Sequence, residues 1–556
     1  MSTHPPVEIA FLGGLGAIGR NMATIDVDGR IGIVDVGVLF PDSDHHPGVD
    51  LILPDWTSVT ERADDVHAVF LTHGHLDHIG ALPYLIREFD RPLVVYGTAL
   101  TIAFCEAILE EWPELQTPDF RVIEPGDTIT DGPFVVEVIQ VSHSIPDGVA
   151  FAFHTPHGLV VHTGDFKLDQ QPLDGRPTDL AHFARLGDDG IDLLLADSTG
   201  AETPGHVEPE RSIGDTLRRH LAQATGLVVV ASFASHVHRI QQVLDAATEV
   251  GRRPVFVGRS MIRNMAIASD LGYLDFPMEN AVDPRDVERY DRSELVVIST
   301  GSQGEPFSAL SLMGSGDHRW LSVGEGDLVI LASSLIPGNE NAVFRSINNL
   351  SRRGAQVVHK GIGRVHVSGH ASADDLVLFH NIVEAEYFVP VHGEHRHLTA
   401  HARIATATGC LPDHVLICED GDSILLENRQ VFRGEGVPTS HVYIDGTSDD
   451  VGPALLRERR RIGEDGICVV TVMLQKDGTR LAAPVTVLQK GVVYGENAAQ
   501  LRDSISHTVT DMVNDVALSV RVDEDGLRQR VVQAVSTQIN RETGRRPVVL
   551  PVIQYV

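Results

Sequence analysis

Hydrophobic and polar positions fall into two rhythms along the chain, and the change between them divides it. In the first third, short apolar runs alternate with tight turns. Runs at 7–12, 23–27, 31–36, 68–71, 93–96, 134–141, 149–154, 159–162 and 191–196 each read as a strand, with Asp28-Gly29 as a hairpin turn. From about residue 205, strand runs at 227–231, 254–257, 294–299, 327–331 and 356–359 alternate with helix-like stretches at 237–250, 262–271 and 341–353. That is the pattern of a doubly wound α/β unit, here inserted into another domain. Strand runs at 385–391, 415–417 and 423–426 return to the first rhythm and complete the first domain. A basic run, Arg457-Glu458-Arg459-Arg460-Arg461, opens a final segment with two strand pairs, amphipathic helices over 501–518 and 527–543, and a closing strand at 548–556. The expected division is 1–205 and 369–430 for a split first domain, 206–368 for the insert, 431–455 for a linker and 456–556 for a small α/β domain.

Composition adds exclusions. Apolar residues are 42% and charged residues 22% of 556, which excludes a disordered, collagen-like or coiled-coil chain. No apolar run approaches the ~20 residues a bilayer helix needs. Residues 1–6 carry neither a basic start nor an apolar stretch, so no membrane association and a cytoplasmic location are expected. Four cysteines stand without a C-x-x-C or zinc-knuckle spacing and read as reduced thiols. The net charge of −33 repels a polyanion at long range unless the site supplies its own cations. All but four of the 44 basic residues are arginine, which suits bidentate phosphate contacts and is equally explained by a compositional bias of the genome.

Gly14-Leu15-Gly16-Ala17-Ile18-Gly19 has the spacing of a dinucleotide fingerprint, with Asp35 at the distance of a ribose-binding acid. The fingerprint needs a helix after its third glycine, and here a strand resumes by Thr24, so the run reads as a turn at the site floor. The strongest signal is Thr72-His73-Gly74-His75-Leu76-Asp77-His78, directly after the strand at 68–71 and before a helix-like stretch at 79–89. Imidazole and carboxylate suit zinc, and a strand end followed by a sharp turn can aim alternate side chains at two ions, His73 and His75 at one, Asp77 and His78 at the other. Further ligands are expected at other strand ends, where His143, Asp165 and His392 each follow an apolar run.

This H-x-H-x-D-H run, followed in order by His143, Asp165 and His392, resembles the metallo-β-lactamase superfamily. Asp197 in Ala196-Asp197-Ser198-Thr199, His370 in Ser368-Gly369-His370-Ala371 and His392 in Val391-His392-Gly393 match the three extra motifs of its nucleic-acid-processing β-CASP branch. With Ser232-Phe233-Ala234-Ser235-His236-Val237-His238-Arg239 in the insert and a C-terminal domain of about 100 residues, the chain is similar to the ribonuclease J family.

The resemblance implies an αββα metallo-β-lactamase sandwich, a doubly wound α/β β-CASP insert and a small α/β C-terminal domain. It also implies two Zn2+ per chain bridged by Asp165, Mn2+ or Mg2+ in activity, and Asp35 as a buried structural aspartate. Catalysis is expected from Asp77, Asp197 and His370, with His370 serving the leaving 3′ oxygen and Asp197 orienting it. The expected function is 5′-to-3′ exonuclease action on RNA from monophosphate ends, with endonuclease activity, in RNA maturation and decay. Ser232, Ser235, Arg239 and the run His366, Val367, Ser368, Gly369 and His370 are candidate substrate contacts. Ser235 also reads as an ordinary helix cap. The charge implies that these contacts cluster in a narrow, arginine-lined channel between the two large domains.

An acid-rich loop, Pro41-Asp42-Ser43-Asp44 to Asp50, offers oxygen ligands to a structural Ca2+, with Gly48, Asp50 and Asp445 as candidates; a solvated acidic loop is the other reading. Partners expected are RNA, further copies of the chain in a homodimer or homotetramer held by the C-terminal domain, and other ribonucleases. The alternatives are a DNA-specific β-CASP nuclease, a small-molecule metallo-hydrolase and a non-catalytic RNA-binding protein. A histidine at the third motif is the pattern associated with RNA, the insert argues against a small substrate, and the complete ligand set argues against loss of catalysis.

Overall fold

The computed structural model describes residues 4–42, 45–336, 339–446, 448–476, 480–517 and 524–556. Two mixed sheets carry the first domain. The larger has eight strands in the order Gln430–Arg433, Ser423–Glu427, Val7–Gly13, Met22–Val27, Arg30–Val34, Val66–Phe70, Val94–Gly97 and Asp119–Val122. The smaller has six, in the order Tyr387–Val391, Leu193–Asp197, Gly158–His162, Val149–Thr155, Phe134–Gln140 and Thr128–Asp131.

A core including Ile9, Phe11, Ile25, Phe70, Phe134, Phe151, Phe153, Leu195 and Val389 fills the space between them. Phe70 meets Phe153 edge to face with centroids 5.4 Å apart, an arrangement worth ~0.5–1.5 kcal/mol beyond the area it buries. The other face of the smaller sheet packs Leu194, Val161 and Phe388 against Phe183 and Phe379 on the helices Leu180–Asp189 and Ala373–Val383, beside His395–Ala407. Helices thus flank a two-sheet sandwich, the αββα arrangement expected from the sequence.

This stacking positions the site. Arg30–Val34 runs parallel to Val66–Phe70, and Gly158–His162, Leu193–Asp197 and Tyr387–Val391 are mutually parallel. Their carboxyl ends therefore share an edge, and the residues just past them meet there. Two of those residues, Asp35 and His392, adopt left-handed backbone at φ 60 and φ 53. Such conformations cost a non-glycine residue ~1–3 kcal/mol and persist where surrounding structure over-determines them. Between them in the loops, Gly37 is obligatory, because a Cβ there would lie 1.6 Å from the carbonyl oxygen of Asp77.

The insert is a five-stranded, wholly parallel sheet in the order Arg253–Val257, Leu295–Ser299, Val228–Ala231, Leu328–Leu331 and Gln356–Val358. The chain leaves the central strand Val228–Ala231 to one side and later continues on the other. That makes a topological switch point just past Ala231, where α/β folds open a crevice for ligands.

The C-terminal unit groups 442–556 with 41–51, a pairing across the chain that local pattern could not show. Within 442–556, Val442–Asp445 pairs with Ser448–Val451 inside the stretch expected to be a linker, and the basic run lies on the helix Pro453–Asp465. Farther on, Ile467–Leu474 stands between Thr486–Lys490 and Val548–Tyr555. The helices Glu496–Ala517 and Glu524–Thr543 cover one face of this sheet, burying Val470, Val472, Ile505, Val509, Val531 and Ile539.

Two local expectations need correction. The helix-like stretch at 79–89 is two short helices, Leu76–Ile79 and Leu82–Ile86, the second restarted by Pro83 in its first turn. The run 415–417 forms a single bridge, Val415 to Phe388, and no strand. Leu518, the last residue of one expected helix, lies outside the described residues, as do Ser43 and Asp44 of the acid-rich loop.

Candidate metal centre

Seven side chains converge at the shared edge in two groups. His73, His75, His143 and Asp165 form one and Asp77, His78, Asp165 and His392 the other, and within each group the ligand atoms lie within 4.8 Å of one another. His73 Nε2 is 3.1 Å from His75 Nδ1, which is 3.2 Å from His143 Nε2. Asp165 Oδ2 is 3.8 Å from both His73 and His143 and 3.3 and 3.6 Å from His78 and His392. The edges of a tetrahedron of zinc ligands are about 3.3–3.8 Å, so both groups have the dimensions of a coordination shell. Asp165 Oδ1 has no hydrogen-bond partner among the described residues although buried.

The electrostatics fit a cation as well. Burial drives His73 and His143 well below the usual imidazole range and brings His75 down to about 4, leaving three neutral donors facing one carboxylate. His78 and His392 go the other way. Burial opposes their charge, but Asp165, with neighbouring aspartates, outweighs it and lifts His78 well above its ordinary value and His392 to about 10. The carboxylates therefore demand positive charge where the second group's nitrogens converge, and a divalent ion can take the place of those protons.

A second layer orients the ligands. Asp35 Oδ2 accepts from His78 Nδ1 at 2.7 Å, and its carboxylate also accepts from the Thr72 amide and hydroxyl, the part expected of a buried structural aspartate. His143 Nδ1 donates to the Gly369 carbonyl at 2.7 Å, and Thr199 Oγ1 lies 2.6 Å from His392 Nδ1. Asn21 Nδ2 donates to the Asp77 carbonyl and lies 3.1 Å from His78 Nε2. Thr72, Thr199 and Asn21 went unread in the sequence. The adjacency of Thr72 to His73 is the one local signal, while Asn21 and Thr199 become visible only when distant strands meet.

Asp197 and His370 stand beside this centre. His370 Nδ1 donates to Asp197 Oδ2 at 2.7 Å and lies 4.0 Å from Asp165. Burial opposes charge on His370, but Asp197 outweighs it and raises its pKa above the ordinary value. The Ser368 hydroxyl accepts the His370 amide at 3.1 Å.

The candidate substrate residues divide. Ser232 is buried at the switch point, Ser235 lies in the turn that opens the helix Val237–Glu249, and His366 is half-buried with its Nδ1 unpartnered. Val367 is buried, and Gly369 packs so closely on His143 that a Cβ would lie 2.7 Å from its ring. Arg239 must be withdrawn as a contact. It is 0% exposed, binds both carboxylate oxygens of Glu210, and donates to the carbonyls of Ala332 and Val365. With every branch of its guanidinium engaged, Arg239 braces the loop leading to His366 and has nothing left for phosphate.

Arg252 is likewise taken up by the carbonyls of Leu221, Gly226 and Leu295, so this arginine too serves the fold of the insert. The calcium candidates also meet an arginine. Arg459 pairs with Asp445 at 2.5 Å and donates to the Gly48 carbonyl at 3.2 Å, while Asp50 accepts the Gly446 amide. A guanidinium thus already occupies the Asp445 and Gly48 oxygens assigned to calcium.

Four protein families match successive stretches: the metallo-β-lactamase superfamily over 56–207, the ribonuclease J β-CASP domain over 225–350, the zinc-dependent metallo-hydrolase RNA specificity domain over 354–417 and the ribonuclease J C-terminal domain over 454–556. Ribonuclease J of Mycobacterium tuberculosis is 42% identical over 554 residues, 99% of this chain and 98% of its own length. Ribonuclease J of Mycolicibacterium smegmatis is 42% identical over 98% of this chain and 97% of its own. That of Synechocystis is 35% identical over 99% of this chain and 86% of its own. A solved protein of unknown function from Enterococcus faecalis superposes with a TM-score of 0.54 at 16% identity, over 76% of this chain and 100% of its own, a likeness of fold alone. The chain therefore belongs to the ribonuclease J family, metal-dependent ribonucleases built on a metallo-β-lactamase domain with a β-CASP insertion.

Proposed function

We propose that this chain uses two zinc ions to hydrolyse RNA, removing nucleotides 5′ to 3′ from monophosphate ends and also cutting internally. The observation that carries this reading is the place of Asp165 Oδ2 between two complete sets of ligands, His73, His75 and His143 on one side and Asp77, His78 and His392 on the other. When bound, such a metal pair activates water for attack on phosphorus and offsets charge on the phosphoryl oxygens, a role manganese or magnesium can also fill. Asp197, by accepting from Nδ1, fixes the tautomer of His370 and leaves Nε2 to protonate the departing 3′ oxygen. RNA is favoured over DNA by the match of 354–417 to an RNA specificity domain.

A pocket for the 5′-phosphate is supported by unpaired polar atoms past the insert's strand ends. Ser232 Oγ, Ser299 Oγ, both ring nitrogens of His236 and His366 Nδ1 are buried without a hydrogen-bond partner among the described residues, and the rings of His236 and His366 lie 6.4 Å apart. Each such group costs ~1–3 kcal/mol unless water or a ligand satisfies it. Lys167 Nζ, which the sequence reading passed over, is 1% exposed and 3.4 Å from Asp169, and its charge acts on both histidines.

Association into a homodimer or homotetramer is supported by the uncovered face of the C-terminal sheet, where Val469 stands opposite both Leu488 and Leu550, and Thr471 opposite Val552. Leu488 is 59% exposed and Leu550 44%. The free thiols of Cys105, Cys418 and Cys468 accord with the cytoplasm, and none of the described helices is long and apolar enough to cross a membrane.

Four outcomes are expected. Elemental analysis should find two zinc ions per chain, about one in His143→Ala and essentially none in Asp165→Ala; full metal in the latter contradicts the shared ligand. RNA with a 5′-monophosphate should be degraded at least tenfold faster than the 5′-triphosphate form in product-release assays, and equal rates refute the end pocket. His370 acts as an acid only while protonated, so kcat/KM should fall as pH rises through its elevated pKa. Asp197→Asn, lacking the charge that elevates it, should move that fall to lower pH, and an unmoved alkaline limb rejects the pair. A chain ending at 452 should sediment as a monomer if the C-terminal domain holds the assembly; an unchanged oligomer assigns the interface elsewhere.

A further inference from the structure

Behind Asp197 lies a set of buried polar groups that neither binds metal nor faces substrate. Ser198 Oγ is 2.9 Å from His401 Nδ1, and His401 Nε2 is 3.0 Å from His380 Nε2. Ser198 and His401 are 0% exposed and His380 is 6% exposed. Phe388 seals the pair edge-on, with centroids 4.7 Å from His380 and 4.6 Å from His401.

Their origins matter more than their burial. Ser198 follows Asp197 at the end of Leu193–Asp197. His380 is on Ala373–Val383, the helix entered just after His370, and His401 is on His395–Ala407, the helix entered just after His392. One hydrogen-bonded chain therefore joins the three segments that carry Asp197, His370 and His392. It also reaches the site directly, because the Ser198 amide donates to the His392 carbonyl at 3.3 Å.

The proton inventory is restrictive. An N–H to N bond between two imidazoles needs one donor and one acceptor, so the contact holds a single proton and the accepting ring is neutral. Burial keeps both neutral, bringing His380 to about 4 and His401 well below its ordinary value. The Ser198 hydroxyl has one proton and an alternative acceptor in the Ala196 carbonyl at 3.2 Å. With that proton on Ala196, His401 donates from Nδ1 and accepts at Nε2 from His380, and each contact along the chain matches one donor with one acceptor. A buried network matched in this way holds its elements in a single relative arrangement.

We propose that Ser198, His401 and His380 are positioning residues, a buried relay that holds the Asp197–His370 pair and the His392 backbone in register for catalysis. The inference rests on the reading of Asp197 and His370 as catalytic. It is tested by kcat and KM on a 5′-monophosphorylated oligoribonucleotide, bound metal and Tm for full-length His401→Leu, His401→Asn, Ser198→Ala, Phe379→Leu and His370→Ala. Phe379, next to His380 on the same helix, packs its ring on Phe166 and Phe183, neither of them a member of the relay, so Phe379→Leu reports loss of packing in that helix layer.

His401→Leu should lose kcat roughly tenfold or more with KM within about twofold and metal retained, as expected when reacting groups shift slightly. His401→Asn, which keeps a donor near Ser198, should recover part of the loss, and Ser198→Ala combined with His401→Leu should be no worse than His401→Leu alone. Phe379→Leu should lower Tm while keeping kcat. If His401→Leu and the milder Ser198→Ala lower only Tm, as Phe379→Leu does, the relay is merely structural and the proposal falls. If His370→Ala keeps full turnover, the catalytic reading falls first and takes the relay with it, an outcome separable from the former.

Discussion

Concentrating buried negative charge at one sheet edge is the constraint from which the rest follows. Asp35, Asp165 and Asp197 are almost wholly inaccessible, and Asp77 adjoins them, in a chain whose net charge is already −33. Carboxylates so placed are costly unless paired or metal-bound. The protein meets that cost in part with imidazoles, His78 on Asp35 and Asp165, His370 on Asp197 and His392 on Asp77 and Asp165. Around Asp165, whose Oδ1 is left without a hydrogen-bond partner among the described residues, the ligand atoms converge at metal-shell distances. Divalent cations bound there would offset the buried charge as well as supply the chemistry, and would give an otherwise acidic protein a local attraction for RNA.

The scaffold is rigid where that concentration requires it. Strand ends deliver Asp35 and His392 in strained left-handed conformations, and Gly37 allows the Asp77 backbone to approach. The Gly369 carbonyl gripping His143 links a metal ligand to the segment that bears His370. That hydrogen bond joins a candidate metal ligand to the segment proposed to supply the proton, at 369–370, directly after the insert. Arg239 extends that coupling by fixing the chain at Val365, just before His366.

What could be read from sequence followed from how local each signal is. The H-x-H-x-D-H run declares itself because four candidate metal ligands sit on one turn, and His143, Asp165 and His392 could be found because each follows an apolar strand. The doubly wound insert was visible through its alternating periodicity. Arg239 was misread because its place in a serine-rich turn suggests phosphate contact, whereas its partner Glu210 lies in a distant segment with no distinguishing pattern. Asp445 and Asp50 suggested a cation, and the cation facing Asp445 is Arg459, an interaction sequence spacing does not encode. Thr199, Asn21 and the Ser198–His401–His380 chain are products of packing, and polar helices such as His395–Ala407 gave no clear apolar stripe to announce them.

Anomalous diffraction at the zinc absorption edge from crystals of the full chain tests the central claim most directly. The account predicts two peaks flanking Asp165 Oδ2, one within coordination distance of His73, His75 and His143 and the other of Asp77, His78 and His392. A single peak away from Asp165, or none in zinc-replete protein that degrades RNA, would contradict it.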